Sequence, residues 1–173
     1  MSELKIEKPN YKKAQNSALK LLKECGYTKP PIDPVQIAKM LGVSVHSASF
    51  ENQEVSGLYD FEKNIIYVNN KDSVERQTFT IAHELGHLKL HSEWVKSNDY
   101  KVLLRSRRDK DPIELEADAF AAHLLVPKEM LTKYRDIASV SDLAKAFGVS
   151  FDMMSNRLAF ENKYVKYRPF NNS

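Results

Sequence analysis

The run His83-Glu84-Leu85-Gly86-His87 holds the residues best suited to chemistry in this chain of 173 residues. It lies in a stretch with helical spacing of apolar residues: Ile81, Leu85 and Leu88 form a stripe, widened by Phe79, Ala82 and Leu90. On a helix, residues four apart lie about one turn, or roughly 6 Å, from each other on one face, so both imidazoles can reach one tetrahedral zinc. Glu84 lies about 100° round the helix from His83, near enough to act on a water at the metal without ligating the ion. A carboxylate so placed takes a proton as water attacks a carbonyl, while the metal polarises that carbonyl and holds the charge developing on its oxygen. These residue types point to metal-assisted hydrolysis, with His83 and His87 as metal ligands and Glu84 as general base. The bland alternative is a pair of surface histidines. The wide apolar stripe argues against it, because paired histidines on a buried helix need a partner and a metal is the best one.

His91 follows His87 by four residues, not by the six of the extended three-histidine signature, so it is expected behind the ligands or at the surface. A third ligand must come from elsewhere. Cys25 is the only cysteine, which leaves His, Asp or Glu and excludes an internal disulfide. The segment Asp111-Pro112-Ile113-Glu114 reads as helix cap, first-turn proline and capping glutamate. The helix it opens carries Glu114, Glu116 and Asp118 beside a stripe of Ala117, Phe120, Ala121 and Leu124. Helix spacing alone leaves Glu114 and Glu116 both open as ligands. Glu114 shares a face with Asp118, which could hydrogen-bond a ligating histidine and fix its tautomer, whereas Glu116 is expected toward Phe120 and His123. A plain capping-box role behind Asp111 is the competing reading of Glu114.

The elements around these two helices follow from capping and periodicity. Residues 11–24 read as an amphipathic helix, with Ala14, Ala18, Leu21 and Leu22 on one side and Gly26 as its stop. A second helix begins at Asp33 and Pro34 and ends near Gly42. From Val43 to Asn69 the pattern changes to period two, with Glu62, Lys63 and Asn64 as the turn of a hairpin. Asp72, with Glu75 three residues later, reads as the capping box of the histidine helix, which is expected to reach about Leu90. The glutamate helix should run from Pro112 to about Leu125 and end at Pro127, with three short helical patterns after it, separated near Asp136 and Gly148. The sequence from Tyr164 onward reads as a polar tail.

A chain of this length suits one domain burying roughly 70% of its unfolded surface. Its composition, 42% apolar and 28% charged, is that of an ordinary soluble protein. Residues 1–16 are polar and lysine-rich with no apolar run behind them, so neither a signal peptide nor a membrane span is expected, and a cytoplasmic location is. The formal charge of +3 is too mild to announce nucleic-acid binding. The densest basic run, Arg105, Arg107, Arg108 and Lys110, is interrupted by Asp109 and reads as a solvated loop.

Two segments together carry a family resemblance: Thr78-Phe-Thr-Ile-Ala-His-Glu-Leu-Gly-His-Leu-Lys-Leu-His91 and Glu114-Leu-Glu-Ala-Asp-Ala-Phe-Ala-Ala-His-Leu-Leu-Val-Pro127. They resemble the ImmA/IrrE family of metallopeptidases, and the likeness extends over roughly residues 30–160 through Pro31 to Pro34, Ser56 to Leu58, Ile66 to Asn69, Phe147 to Ser150, and Arg157-Leu158. Lys89 and Val126 depart from the usual residues without touching the proposed chemistry. The family pattern of a glutamate three residues before Ala-Asp falls on Glu114, through Ala117 and Asp118. The resemblance implies zinc, with manganese as the alternative, on His83, His87 and Glu114. It also implies a substrate class, namely helix-turn-helix repressors of mobile elements or stress regulons, which such proteins cleave or otherwise inactivate.

The expected fold class is α+β, a minimal zincin-like domain whose active-site helix packs on a small antiparallel sheet, with helix-turn-helix-like helices toward the C-terminus. Residues 1–130 are expected to form the metallopeptidase domain and 131–173 a helical extension on the same core. The segment Leu143 to Ser150, continued to Leu158, has a glycine at the turn and a serine capping the next helix. It also echoes Ile37 to Ser44, over too short a span for a structural repeat. It raises a rival reading, a regulator that binds DNA or a repressor and keeps the metal for structure. Its candidate recognition helix offers Asn156 and Arg157 but few other groups for reading bases, so direct DNA binding is not expected. A third reading, hydrolysis of another bond by the same motif as in deformylases, is disfavoured by the resemblance.

Overall fold

The computed structural model of the protein describes residues 7–96 and 111–165. The basic run from Arg105 to Lys110 lies outside the described residues. Helix α1, Tyr11–Glu24, starts where the Asn10 side chain accepts the Lys13 N–H at 2.9 Å, and it buries Ala14, Ala18, Leu21 and Leu22 as its periodicity predicts. Helix α2, Pro34–Met40, is capped by Asp33, whose side chain accepts from the Val35 and Gln36 amides.

Three strands follow, β1 (Ser44–Ala48), β2 (Gly57–Asp60) and β3 (Ile65–Asn69), in the spatial order β1-β3-β2. β2 and β3 form the expected antiparallel hairpin, with Asn64 in the left-handed region at φ 57 and the Lys63 amide donating to Asp60. β1, however, pairs parallel with β3, so the sheet is mixed and not antiparallel. Period-two patterning marks which residues share a face but carries no strand direction, and the stretch between Ala48 and Ile65 is long enough to bring β3 back in the direction of β1.

Helix α3, Val74–Leu90, has the expected end but a different cap: Ser73 accepts the Arg76 amide at 3.2 Å. Asp72 instead accepts from the Arg76 side chain at 3.2 Å, and its backbone carbonyl from the Gln77 amide group. Short helix α4, Ser92–Val95, follows directly. Helix α5, Pro112–Leu125, opens at Asp111, whose side chain accepts the Ile113 amide at 3.1 Å. Helices α6 (Lys128–Leu131), α7 (Val140–Phe147) and α8 (Phe151–Val165) complete the described residues, with α8 covering the start of the expected polar tail. Gly148, at φ 68, makes the turn between α7 and α8, and Ser150 accepts the Met153 amide, as the helix-turn-helix pattern predicts.

The architecture is α+β, as expected. Helix α3 lies between the sheet and α5, and α5 packs in turn on α1. Leu21, Ile37, Ile66, Leu85, Phe120 and Leu124 belong to a core cluster that also takes in Leu143, Phe147 and Met154 from the C-terminal helices. Each such side chain stabilises the fold by about 1.5–3 kcal/mol on burial, so the histidine helix is held from both sides. Among the described residues no helix is long and apolar enough to cross a membrane.

Candidate metal centre

Helices α3 and α5 approach closely at Gly86, where an added Cβ would lie 3.1 Å from the Ala117 Cα and 3.2 Å from its carbonyl oxygen. That contact brings His83, His87 and Glu114 together, all three buried, with one ligating atom from each facing the others. His83 Nε2 and His87 Nε2 are 3.0 Å apart, and the two Glu114 oxygens lie 3.2 Å from His83 Nε2 and 3.0 Å from His87 Nε2. A tetrahedral ion with bonds of 2.0–2.1 Å needs ligand atoms about 3.3 Å apart, so the cluster has the right size.

Two further observations fit a cation. Glu114 Oε1 is buried without an aligned hydrogen-bond donor among the described residues, although His87 Nε2 is close by. The ligating atoms of the three groups all lie within 4.8 Å of one another. Burial opposes ionisation of Glu114, yet the neighbouring imidazoles of His83 and His87 outweigh it and hold the carboxyl well below the usual carboxylate range. A carboxylate oxygen beside two imidazoles is a donor set suited to a divalent transition metal.

Behind the cluster, Asp118 accepts from His83 Nδ1 at 2.8 Å, the contact foreseen from its spacing to Glu114. A carboxylate at Nδ1 keeps the proton there and makes Nε2 the ligating atom. His91 is not at the surface. Its Nδ1 lies 3.2 Å from His87 Nδ1 and its Nε2 lies 2.9 Å from Glu116 Oε2, all three residues being buried. Glu116 is therefore turned to His91 and not toward Phe120 and His123, and its other oxygen accepts the Asn10 amide at 2.7 Å. Burial lowers the His91 pKa below its ordinary value, with the Glu116 hydrogen bond opposing. Asp111 caps α5 through its own side chain, while the Glu114 carboxylate lies against His83 and His87.

Glu84 follows His83 on α3 and is 6% exposed. Sequence reasoning missed Trp94, whose ring centroid lies 5.5 Å from that of His87, and Asn10, which anchors Glu116. Neither sits in a motif; the one available signal was that Trp94 is the single tryptophan in the chain. On the far side of Asp118 a groove of about 780 Å³ opens between α3, α5 and α8, with Phe79, Leu115, Met153 and Phe160 as apolar walls and Asn156 and Arg157 facing it.

The family model described as the IrrE N-terminal-like domain matches residues 38–159, a span that includes both helices of the cluster. The chain belongs to this metallopeptidase family. As an IrrE N-terminal-like protein it is 29% identical to immunity region protein 2 of Bacillus phage phi105, over 70% of this chain and 76% of that protein. It is 33% identical to the radiation response metalloprotease IrrE of Deinococcus radiodurans over 54% of this chain and 38% identical to the metallopeptidase ImmA of Bacillus subtilis over 40% of it. Those matches span 30% and 38% of the two relatives' own lengths. A solved structure titled a Mycobacterium tuberculosis transcriptional regulator superposes with a TM-score of 0.66 at 19% identity, covering 86% of this chain and 46% of that one, a likeness of fold.

Proposed function

We propose that this IrrE N-terminal-like protein is a zinc-dependent, site-specific endopeptidase acting in the cytoplasm on a helix-turn-helix repressor of a mobile element or stress regulon. The observation that carries the reading is the convergence of His83, His87 and Glu114 on one point, with Glu84 buried beside His83. His83, His87 and Glu114 would hold the ion, and manganese is the alternative occupant. When bound, zinc supplies a Lewis acid that lowers the pKa of water to about 7 and polarises a peptide carbonyl. Glu84 takes a proton from the attacking water and passes it to the amide nitrogen as the carbon–nitrogen bond breaks, leaving a carboxylate and an amine. Asp118 keeps His83 in the ligating tautomer. Two of the relatives are named as metallopeptidases, which supports peptide-bond hydrolysis, and the choice of a repressor as substrate follows the family resemblance of the sequence.

The rival, a DNA-binding regulator, loses its best group. Arg157 is 3% exposed and donates to the Val126 carbonyl, to Glu161 and to His123 Nδ1, so it is spent inside the protein. Asn156 faces the groove beside α3 and α5.

The test is incubation of the zinc-loaded protein with the repressor encoded beside its gene. One discrete cut is expected, slowed about 10²–10⁴-fold by Glu84→Gln. A repressor left whole and active by protein shown to carry zinc overturns the proposal.

A further inference from the structure

We infer that His91 and Glu116 are positioning residues that set the proton of His87 on Nδ1 and leave its Nε2 free for a metal, through a relay anchored on the Asn10 backbone. The inference rests on the metal reading of His83, His87 and Glu114. Its links are Asn10 N to Glu116 Oε1 at 2.7 Å, His91 Nε2 to Glu116 Oε2 at 2.9 Å, and His87 Nδ1 to His91 Nδ1 at 3.2 Å.

Hydrogen-bond inventory gives the relay a direction. A backbone N–H only donates and a carboxylate only accepts, so Glu116 takes one hydrogen from Asn10 and one from His91 Nε2. Neutral imidazole carries a single N–H, so His91 Nδ1 is then an acceptor. With His91 Nδ1 as acceptor, the hydrogen of the Nδ1–Nδ1 contact comes from His87 Nδ1. The neutral His87 ring thereby keeps its Nε2 lone pair on the side of the candidate metal centre, where Nε2 lies 3.0 Å from His83 Nε2 and 3.0 Å from Glu114 Oε1. Bulk solvent does not reach the relay, since His87, His91 and Glu116 are 2%, 5% and 2% exposed.

The relay explains why α5 carries two carboxylates behind the ligands. Asp118 reaches His83 directly at 2.8 Å. Glu116 does not contact His87, and His91, one turn further along α3, fills the gap.

Glu116→Gln is the decisive variant. Glutamine has one acceptor oxygen where glutamate has two, and the Asn10 amide takes it. The NH2 then faces His91 Nε2, which must accept, so His91 Nδ1 donates and the His87 proton moves to Nε2. In the zinc-free protein, long-range nitrogen NMR of the imidazoles should show the Nδ1–H tautomer of His87 in the parent and Nε2–H in Glu116→Gln. Zinc affinity, read by competition with a chelator, should fall by about 10–100-fold while melting remains cooperative. A second pair isolates the first link. His91→Asn places an oxygen near the position of Nδ1 and should retain most of the affinity, whereas His91→Leu should lose about 10–100-fold. Parental tautomer and affinity in Glu116→Gln, or equal losses in His91→Asn and His91→Leu, overturn the inference. A parent that binds no zinc defeats the metal reading instead, and the tautomer comparison in zinc-free protein still decides the relay.

Discussion

Gly86 and Ala117 touch at the point where the two halves of the candidate centre meet, an added Cβ on Gly86 falling 3.1 Å from the Ala117 Cα. Gly86 lies between His83 and His87, and Ala117 lies between Glu114 and Asp118, so the spacing of α3 and α5 sets the distance between the ligands. A methyl group there meets backbone, which cannot turn aside. Gly86→Ala should therefore destabilise the fold by about 1–3 kcal/mol through overpacking, although alanine is the better helix former by about 1 kcal/mol at an open site. For a chain of this size that is a drop of several degrees in the melting temperature, with zinc affinity reduced as well. A raised melting temperature would show that the helices do not approach this closely.

Loss of chemistry and loss of metal should separate between two neighbours of the same centre. Glu84→Gln is expected to bind zinc nearly as the parent does and to cleave about 10²–10⁴-fold more slowly, because it removes a proton carrier and no ligand. Glu114→Gln should lose zinc affinity far more than the roughly 1 kcal/mol that loss of a helix cap costs in stability. The check is metal content beside cleavage rate. Parental cleavage by Glu84→Gln under excess zinc would remove it from the role of base.

Stability should fall with acid before the carboxylates titrate. Burial, with the nearby positive charge of Arg157, pushes the pKa of His123 down to about 4 from an ordinary 6.5. The folded state thus favours neutral His123, and the unfolded chain binds more protons between those values. The contribution is fully present above pH 6.5 and is lost as pH falls toward 4, amounting to on the order of 3 kcal/mol at most. Denaturation midpoints measured from pH 7 to 4.5 should show this slope in the parent and a flatter one in His123→Gln. Equal slopes would mean that another group carries the acid sensitivity.

Operator DNA should not be shifted specifically at nanomolar protein. Arg157 is buried against His123, Val126 and Glu161, and the chain carries a formal charge of only +3, which leaves little for phosphate or base contacts. A salt-sensitive, sequence-specific shift in an electrophoretic assay would promote the regulator reading.

The sequence by itself determined the local layer of this protein. The limits of α1, α3 and α5 were legible because caps, first-turn prolines and helical periodicity act within a few residues of each helix end. The spacing of His83, Glu84 and His87 was legible because one helical turn is a local length. Even the cap of α3 moved by only one residue, from Asp72 to Ser73. Tertiary structure alone decided which residues meet across elements. Glu114 and Glu116 both flank an apolar stripe, and only the approach of α5 to α3 at Gly86 turns one to the histidines and the other to His91 and Asn10. The parallel pairing of β1 with β3 was decided in the same way, since alternation records a strand's faces but neither its direction nor its neighbour. His91 shows the same division: its helical phase was readable, but its hydrogen-bond partners belong to α5 and, through Glu116, to the start of α1, elements far away in the chain.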